Sequence, residues 1–197
     1  MAVRPQKRTR GGRLRSRAAW LAAGLAAAVG GIWSREAEAQ KPSRYDVQAA
    51  YVYNFGKFVR WPERAGHGAI VVCVAGQDPF GQTIGKLATG GQIDGRALEI
   101  RNLERPEGVG ACSILFVGAA ELAHGYLAAA ADKPILTVGD APDFLARGGM
   151  IQFVLVEDHV RFSVNLDAAN HCGVGLSSEL LKVAVSVTGK PGTGGAN

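Results

Sequence analysis

Ile70-Val71-Val72-Cys73-Val74-Ala75-Gly76-Gln77-Asp78-Pro79-Phe80-Gly81-Gln82-Thr83 decides the fold class. Six consecutive apolar, mostly β-branched residues predict a strand buried on both faces. Gly76 then breaks the run, and Asp78-Pro79 predicts a capped helix start with proline in its first turn, the helix running over 79–88. Strand, tight turn, helix is the unit from which α/β domains are built.

The same alternation continues outward. Strands are expected at 97–102, 113–117 and 135–138, with an Ala-rich helix at 119–131 and a helical turn at 141–146. Residues 150–156 and 160–165 predict a hairpin joined by Glu157-Asp158-His159. In its second arm Val160, Phe162 and Val164 alternate with Arg161, Ser163 and Asn165, so one face is buried and the other polar. A closing helix is expected over 177–187, then a Gly-rich disordered tail at 189–197. Upstream, Ser43 and Asp46 form a capping-box variant that opens a helix expected to reach Arg60, stopped by Trp61-Pro62. Tyr45, Val47, Tyr51, Val52, Phe55, Phe58 and Val59 cover its core face. Tyr53 falls with Asp46, Asn54, Lys57 and Arg60 on the polar arc. The expected architecture is one α/β domain over 40–188, a mixed sheet flanked by helices with a C-terminal hairpin and closing helix.

The 197-residue chain carries 22 Lys/Arg and 17 Asp/Glu, a formal net charge of +5. Seven of those cations lie between Arg4 and Arg17, followed by the uncharged run from Ala18 to Ile32 and by Ala37-Glu38-Ala39. A positive segment, an apolar run of about 15 residues and a small-x-small site predict a cleavable signal peptide over 1–39, hence residence in the periplasm. The run is short of the roughly 20 residues of a bilayer span. No Arg-Arg pair precedes it, which fits the general secretory route. Residues 1–39 hold eight of the cations and two of the acids. The remainder has 14 basic and 15 acidic residues, a net of −1. Global charge support for nucleic-acid binding disappears with the leader.

Three cysteines fit an oxidising compartment without a dense disulfide framework. Cys73 and Cys112 sit in or beside strands that neighbouring positions in a sheet would bring within bridging distance. Cys172 is left over, as a small buried hydrophobe or as a thiol for pairing between chains.

Gly76 to Thr83 matches the spacing of a phosphate-binding loop, but Gln82 stands where the lysine belongs, Pro79 removes a backbone donor and Asp78 would repel phosphate. His67, His124, His159 and His171 show no metal spacing, and no serine occupies a nucleophile elbow. No catalytic residue, cofactor or metal is assigned from the sequence.

Ala49-Ala50-Tyr51-Val52-Tyr53-Asn54-Phe55-Gly56-Lys57-Phe58-Val59-Arg60-Trp61-Pro62 resembles the opening signature of the YfiR-like family. So do Val74-Ala75-Gly76-Gln77-Asp78-Pro79-Phe80-Gly81, Ile114 to Gly118, Leu136 to Asp140, Phe144 to Ile151, Arg161 to Leu166 and Leu176 to Lys182. The resemblance implies a non-catalytic periplasmic regulator that binds and represses an inner-membrane diguanylate cyclase, and so controls cyclic-di-GMP and biofilm formation. It implies sequestration by an outer-membrane lipoprotein, and a structural Cys73–Cys112 disulfide. A second family disulfide has no counterpart, since Arg147 and Val154 occupy those segments. A homodimer is expected. The alternative reading is a small-molecule-binding sensory module coupled to a histidine kinase or another membrane receptor. For the contact surface, exposed aromatic and cationic side chains of the hot-spot kind point to Tyr53, Lys57 and Arg60 on the first helix and to Arg161 and Asn165 on the hairpin.

Overall fold

The structure is a computed structural model that describes residues 41–190. The signal peptide expected over 1–39 lies outside the described residues, as does the tail beyond Lys190.

Ser43 opens α1 (Arg44–Phe55) with a reciprocal capping box. The Asp46 N–H donates to Ser43 Oγ at 3.2 Å, and the Ser43 N–H donates to Asp46 Oδ2 at 2.9 Å. The helix stops five residues short of its expected end. A 3-10 turn (Gly56–Phe58) leads into β1 (Val59–Arg60). Two contacts mark this change of path. Gly56 packs so closely on Ile93 that a Cβ would stand 2.5 Å from Ile93 Cδ1. The Phe58 carbonyl accepts from the Ser177 N–H at 2.9 Å, which draws the chain into an extended path. Phe58, expected in the core, is 39% exposed.

The remaining elements are β2 (Ile70–Ala75), α2 (Gln82–Ala88), β3 (Gln92–Ile93), β4 (Arg96–Leu103), β5 (Ile114–Val117), α3 (Tyr126–Ala130), β6 (Leu136–Gly139), β7 (Ile151–Val156) and β8 (His159–Asn165). They are followed by α4 (Leu166–Cys172), β9 (Gly175–Leu176), α5 (Ser178–Lys182) and β10 (Ser186–Thr188). Eight strands form one mixed sheet in the order β10-β8-β7-β6-β5-β2-β4-β3. Within it β4, β2, β5, β6 and β7 are mutually parallel. Numbered by their own chain order they read 2-1-3-4-5, a doubly wound arrangement with its switch point between β2 and β5. β1 and β9 form a separate two-stranded ribbon. The α/β class and the mixed sheet expected from the sequence are present.

Alternation along β2 divides the interior. Val72 and Val74 face the layer that includes α1, where Ala49, Val52 and Phe55 meet Ile114, Phe116, Leu136, Val138, Phe153 and Phe162. Phe55 and Phe162 pack edge to face with ring centres 5.0 Å apart. Cys73 and Ala75 face the opposite layer with Leu115, Val117, Tyr126, Ala130 and Phe144. Burying side chains of this size contributes about 1.5–3 kcal/mol each, so both faces of the sheet are needed for stability.

Local differences from the sequence reading have local causes. Asp78 does not cap α2. Its Oδ1 accepts the Phe80 N–H at 2.7 Å in a side-chain turn, and α2 begins at Gln82 without a side-chain cap. The expected helix over 119–131 divides into a 3-10 turn and the short α3, separated by Gly125 in the left-handed region (φ +81°). Glu157 and Asp158 alone make the hairpin turn, both at positive φ (50° and 60°), which matches the strand twist of a two-residue hairpin. α4 was not expected. Asn165 Oδ1 caps it by accepting the Ala168 N–H at 3.1 Å, and Gly173 ends it. The closing helix ends at Lys182, after which the Val185 N–H donates to the Phe162 carbonyl at 2.9 Å and Ser186–Thr188 pair with β8 as β10. The Lys190 N–H still reaches Asp167 Oδ1 at 3.3 Å, and the Lys190 carbonyl accepts from Asn170 Nδ2 at 2.8 Å.

Candidate functional site

Tyr53 and Lys57 are one helical turn apart and act as a unit. The Lys57 ammonium lies 4.4 Å from the centre of the Tyr53 ring and donates to Asn54 Oδ1 at 3.0 Å. Such a cation–aromatic pair is worth roughly 0.5–1 kcal/mol at an exposed site. Tyr53 is half-buried rather than a lone surface ring, because its inner edge packs on the core and approaches Gly91. Lys57 is exposed.

Arg60 does not continue that patch. It is exposed on β1, pairs in register with Gly175, and borders a cleft of about 650 Å³ with Trp61, Pro62, Ser177 and Glu179. Trp61 Nε1 donates to the Ser113 carbonyl at 3.2 Å, which fixes that wall. The Glu179 carboxyl is held below its ordinary pKa by backbone N–H donation at the start of α5 and by the Ser178 and Ser177 hydroxyls.

On the hairpin, Arg161 is exposed opposite Val154, and its guanidinium donates to the Val160 carbonyl at 3.0 Å. Asn165 is tied down on both sides of its amide: Oδ1 caps α4, and Nδ2 donates to the Leu145 carbonyl at 3.4 Å. The structure therefore joins Tyr53 to Lys57, sets Arg60 on a different element, and gives Asn165 a structural task. Sequence reasoning missed the exposed apolar side chains Leu155, Val183, Val185 and Val187, because the last three were assigned to a helix.

The Cys73–Cys112 disulfide is formed, with the Cα atoms 5.7 Å apart. Cys172 lies buried at the end of α4. In the loop after β2, Gly76 adopts a left-handed φ of +63°, and a Cβ there would collide with the Glu121 side chain. A carboxylate thus sits over the loop where a phosphate would have to lie, which supports the structural reading of this turn. His124 pairs with Glu121 at 2.9 Å and His171 with Asp132 at 2.5 Å, both on the surface. Among the described residues, no cluster of three or more His, Cys, Asp or Glu could hold a metal ion, and no helix is long and apolar enough to cross a membrane.

None of the curated proteins matches the chain. Among solved structures, a conserved domain protein from Vibrio cholerae O1 biovar El Tor is similar at 12% identity with a TM-score of 0.49, over 74% of this chain. The chain spans 60% of that protein's length. At that similarity it adds nothing to the functional reading. The model of the YfiR/HmsC-like family matches residues 45–185, from the first turn of α1 to the approach of β10, and on that match this chain belongs to the YfiR/HmsC-like family.

Proposed function

We propose that this protein is a non-catalytic periplasmic regulator that binds the periplasmic domain of an inner-membrane diguanylate cyclase and represses it. Membership of the family carries the coarser part: a regulatory role in the diguanylate cyclase pathway. The partner, the repression, sequestration by an outer-membrane lipoprotein, the homodimer and export through residues 1–39 are the further steps of the proposal. A disulfide between neighbouring strands of the sheet suits an oxidising compartment. The Tyr53–Lys57 pair, Arg60 and Arg161 supply the aromatic and cationic groups that dominate protein contacts. Asn165 belongs to the surface only through the helix it caps.

The test is capture and phenotype together. Protein purified from the periplasm, cross-linked to a membrane fraction of the same cells, should recover a diguanylate cyclase by mass spectrometry. Deleting the gene should raise cellular cyclic-di-GMP. Recovery of a histidine kinase with unchanged cyclic-di-GMP would replace this reading with the sensory-module alternative.

A further inference from the structure

Arg44 and Gln48 leave the same face of α1, one turn apart. With Asp140, Pro142, Gln152, Phe153 and Leu155 they line a cleft of about 300 Å³ beside the carboxyl ends of β6 and the start of β7. Gln48 is only 3% exposed, and its Oε1 is buried with no hydrogen-bond donor among the described residues. Roughly nine in ten buried polar groups are paired, and an acceptor left unpaired costs about 1–3 kcal/mol. The unmet acceptor belongs to a side chain that lines the cleft, and a turn of its amide presents it to a ligand's donor.

The other polar groups of the cleft sort themselves by their partners. Gln152 is consumed in building the wall: its Oε1 accepts from the Leu145 N–H at 3.2 Å and its Nε2 donates to the Pro142 carbonyl at 3.1 Å. Asp140 commits Oδ1 to the Ala119 N–H at 2.8 Å, which leaves its second oxygen for a ligand. Arg44 uses one nitrogen on the Tyr45 hydroxyl at 2.8 Å and keeps further donors in its fork. Leu155, 56% exposed, supplies an apolar border. A second cleft of about 450 Å³ shares Arg44 and Asp140 and reaches the loops after β2 and β5. That is the switch-point position where doubly wound sheets take their ligands.

We propose that the Gln48 cleft binds a free α-amino acid with an apolar side chain. Its ammonium donates to Gln48 Oε1 and Asp140, its carboxylate accepts from Arg44, and its side chain lies against Pro142, Phe153 and Leu155. One cation and one anion in the cleft match a zwitterion, whereas a dication or a dianion meets one like charge. The volume is at the lower end for small-molecule sites, about 300–1,000 Å³, so it suits a single residue and not a peptide. The site shares no residue with the proposed partner surface.

Titration calorimetry of periplasm-purified protein with leucine, N-acetylleucine and leucinamide tests this without any partner. Leucine should bind, and blocking either end should weaken binding by at least about tenfold, the loss of one charge-assisted hydrogen bond. Gln48→Leu should retain or raise the melting temperature, since it removes an unpaired acceptor, yet lose about tenfold in affinity. If that variant does not fold, Asp140→Asn decides, because it keeps an acceptor for Ala119 and deletes the charge. The proposal is overturned if glycine, alanine, leucine and phenylalanine all fail to bind at millimolar concentration. Equal binding of leucine and leucinamide, or of leucine and N-acetylleucine, overturns it, as does undiminished binding by the decisive variant.

Discussion

Gly149 lies directly against Phe144: a Cβ on it would collide with the phenyl ring and stand 2.8 Å from the Phe144 carbonyl oxygen. Gly139 closes the other side, where a Cβ would meet the same ring and stand 2.7 Å from the Val117 carbonyl oxygen. Phe144 is fully buried between these backbones and anchors the turn between β6 and β7. Gly149→Ala should therefore cost about 1–3 kcal/mol, the usual range for overpacking. Urea denaturation measures it. A variant as stable as the parent would mean that the turn yields and Phe144 is not clamped.

The disulfide ties β2 to Cys112, two residues before β5, across a sequence separation of 39. Loop-entropy arithmetic assigns such a link about 4 kcal/mol, and loss of native disulfides in small domains spans roughly 2–5 kcal/mol. Cys112→Ala and Cys73→Ala should each lower stability within that range. Reduction of the parent by dithiothreitol should lower its melting temperature similarly and leave the variants unmoved. An unchanged melting temperature of the parent under complete reduction would show that the bridge is not what holds this layer.

Asp46 links the start of α1 to α2. Its Oδ1 accepts from the Thr83 hydroxyl at 2.5 Å, the largest cause of a carboxyl pKa below the ordinary aspartate value, and Ser43 adds its hydroxyl and backbone N–H. A carboxyl whose folded pKa is depressed gives stability that is fully present above its unfolded pKa, about 3.9. That stability is lost as pH falls through the folded value. Thr83→Val should therefore shrink the loss of melting temperature on acidification below about pH 4, with no matching change in slope near neutrality. Parallel curves for parent and variant across the acid limb would show that the contact carries no linkage.

The central sheet was legible because its signals are local. Residues 70–75 and 114–117 are short, apolar throughout and rich in β-branched side chains, the pattern of strands buried on two faces. The edges were not legible for a different reason. α1 gives way to β1 because the ends of distant segments meet at Phe58 and Ser177, a contact that no window around Gly56 contains. The path of 183–187 was available in the alternation of Val183, Val185 and Val187, which is a strand period, but α5 just before it favours reading on as helix. α4 carried readable signals too, an Asn cap and a closing glycine. The Gln48 cleft was illegible in principle: a glutamine on the first helix becomes conspicuous only when its amide is found buried without a donor.

Tyr53 and Lys57 test the partner surface against the fold. Lys57 is exposed and, among the described residues, its ammonium is engaged with Asn54 and the Tyr53 ring, so Lys57→Glu should change stability by less than about 1 kcal/mol, the worth of an exposed cation–aromatic contact. Tyr53→Ala removes a half-buried ring that packs on the core and should cost more than Lys57→Glu, yet less than Phe55→Ala. Phe55 is 1% exposed, stacked on Tyr51 and Phe153 and edge to face with Phe162, and its truncation should cost about 3–5 kcal/mol. Repression is the separate readout. Lys57→Glu should weaken co-precipitation of the cyclase and raise cyclic-di-GMP while the protein accumulates normally. Arg161→Glu should do the same if the hairpin shares the interface. Full repression by a stably folded double variant would remove both patches from the contact surface and leave the exposed valines at 183, 185 and 187 as the next surface to substitute.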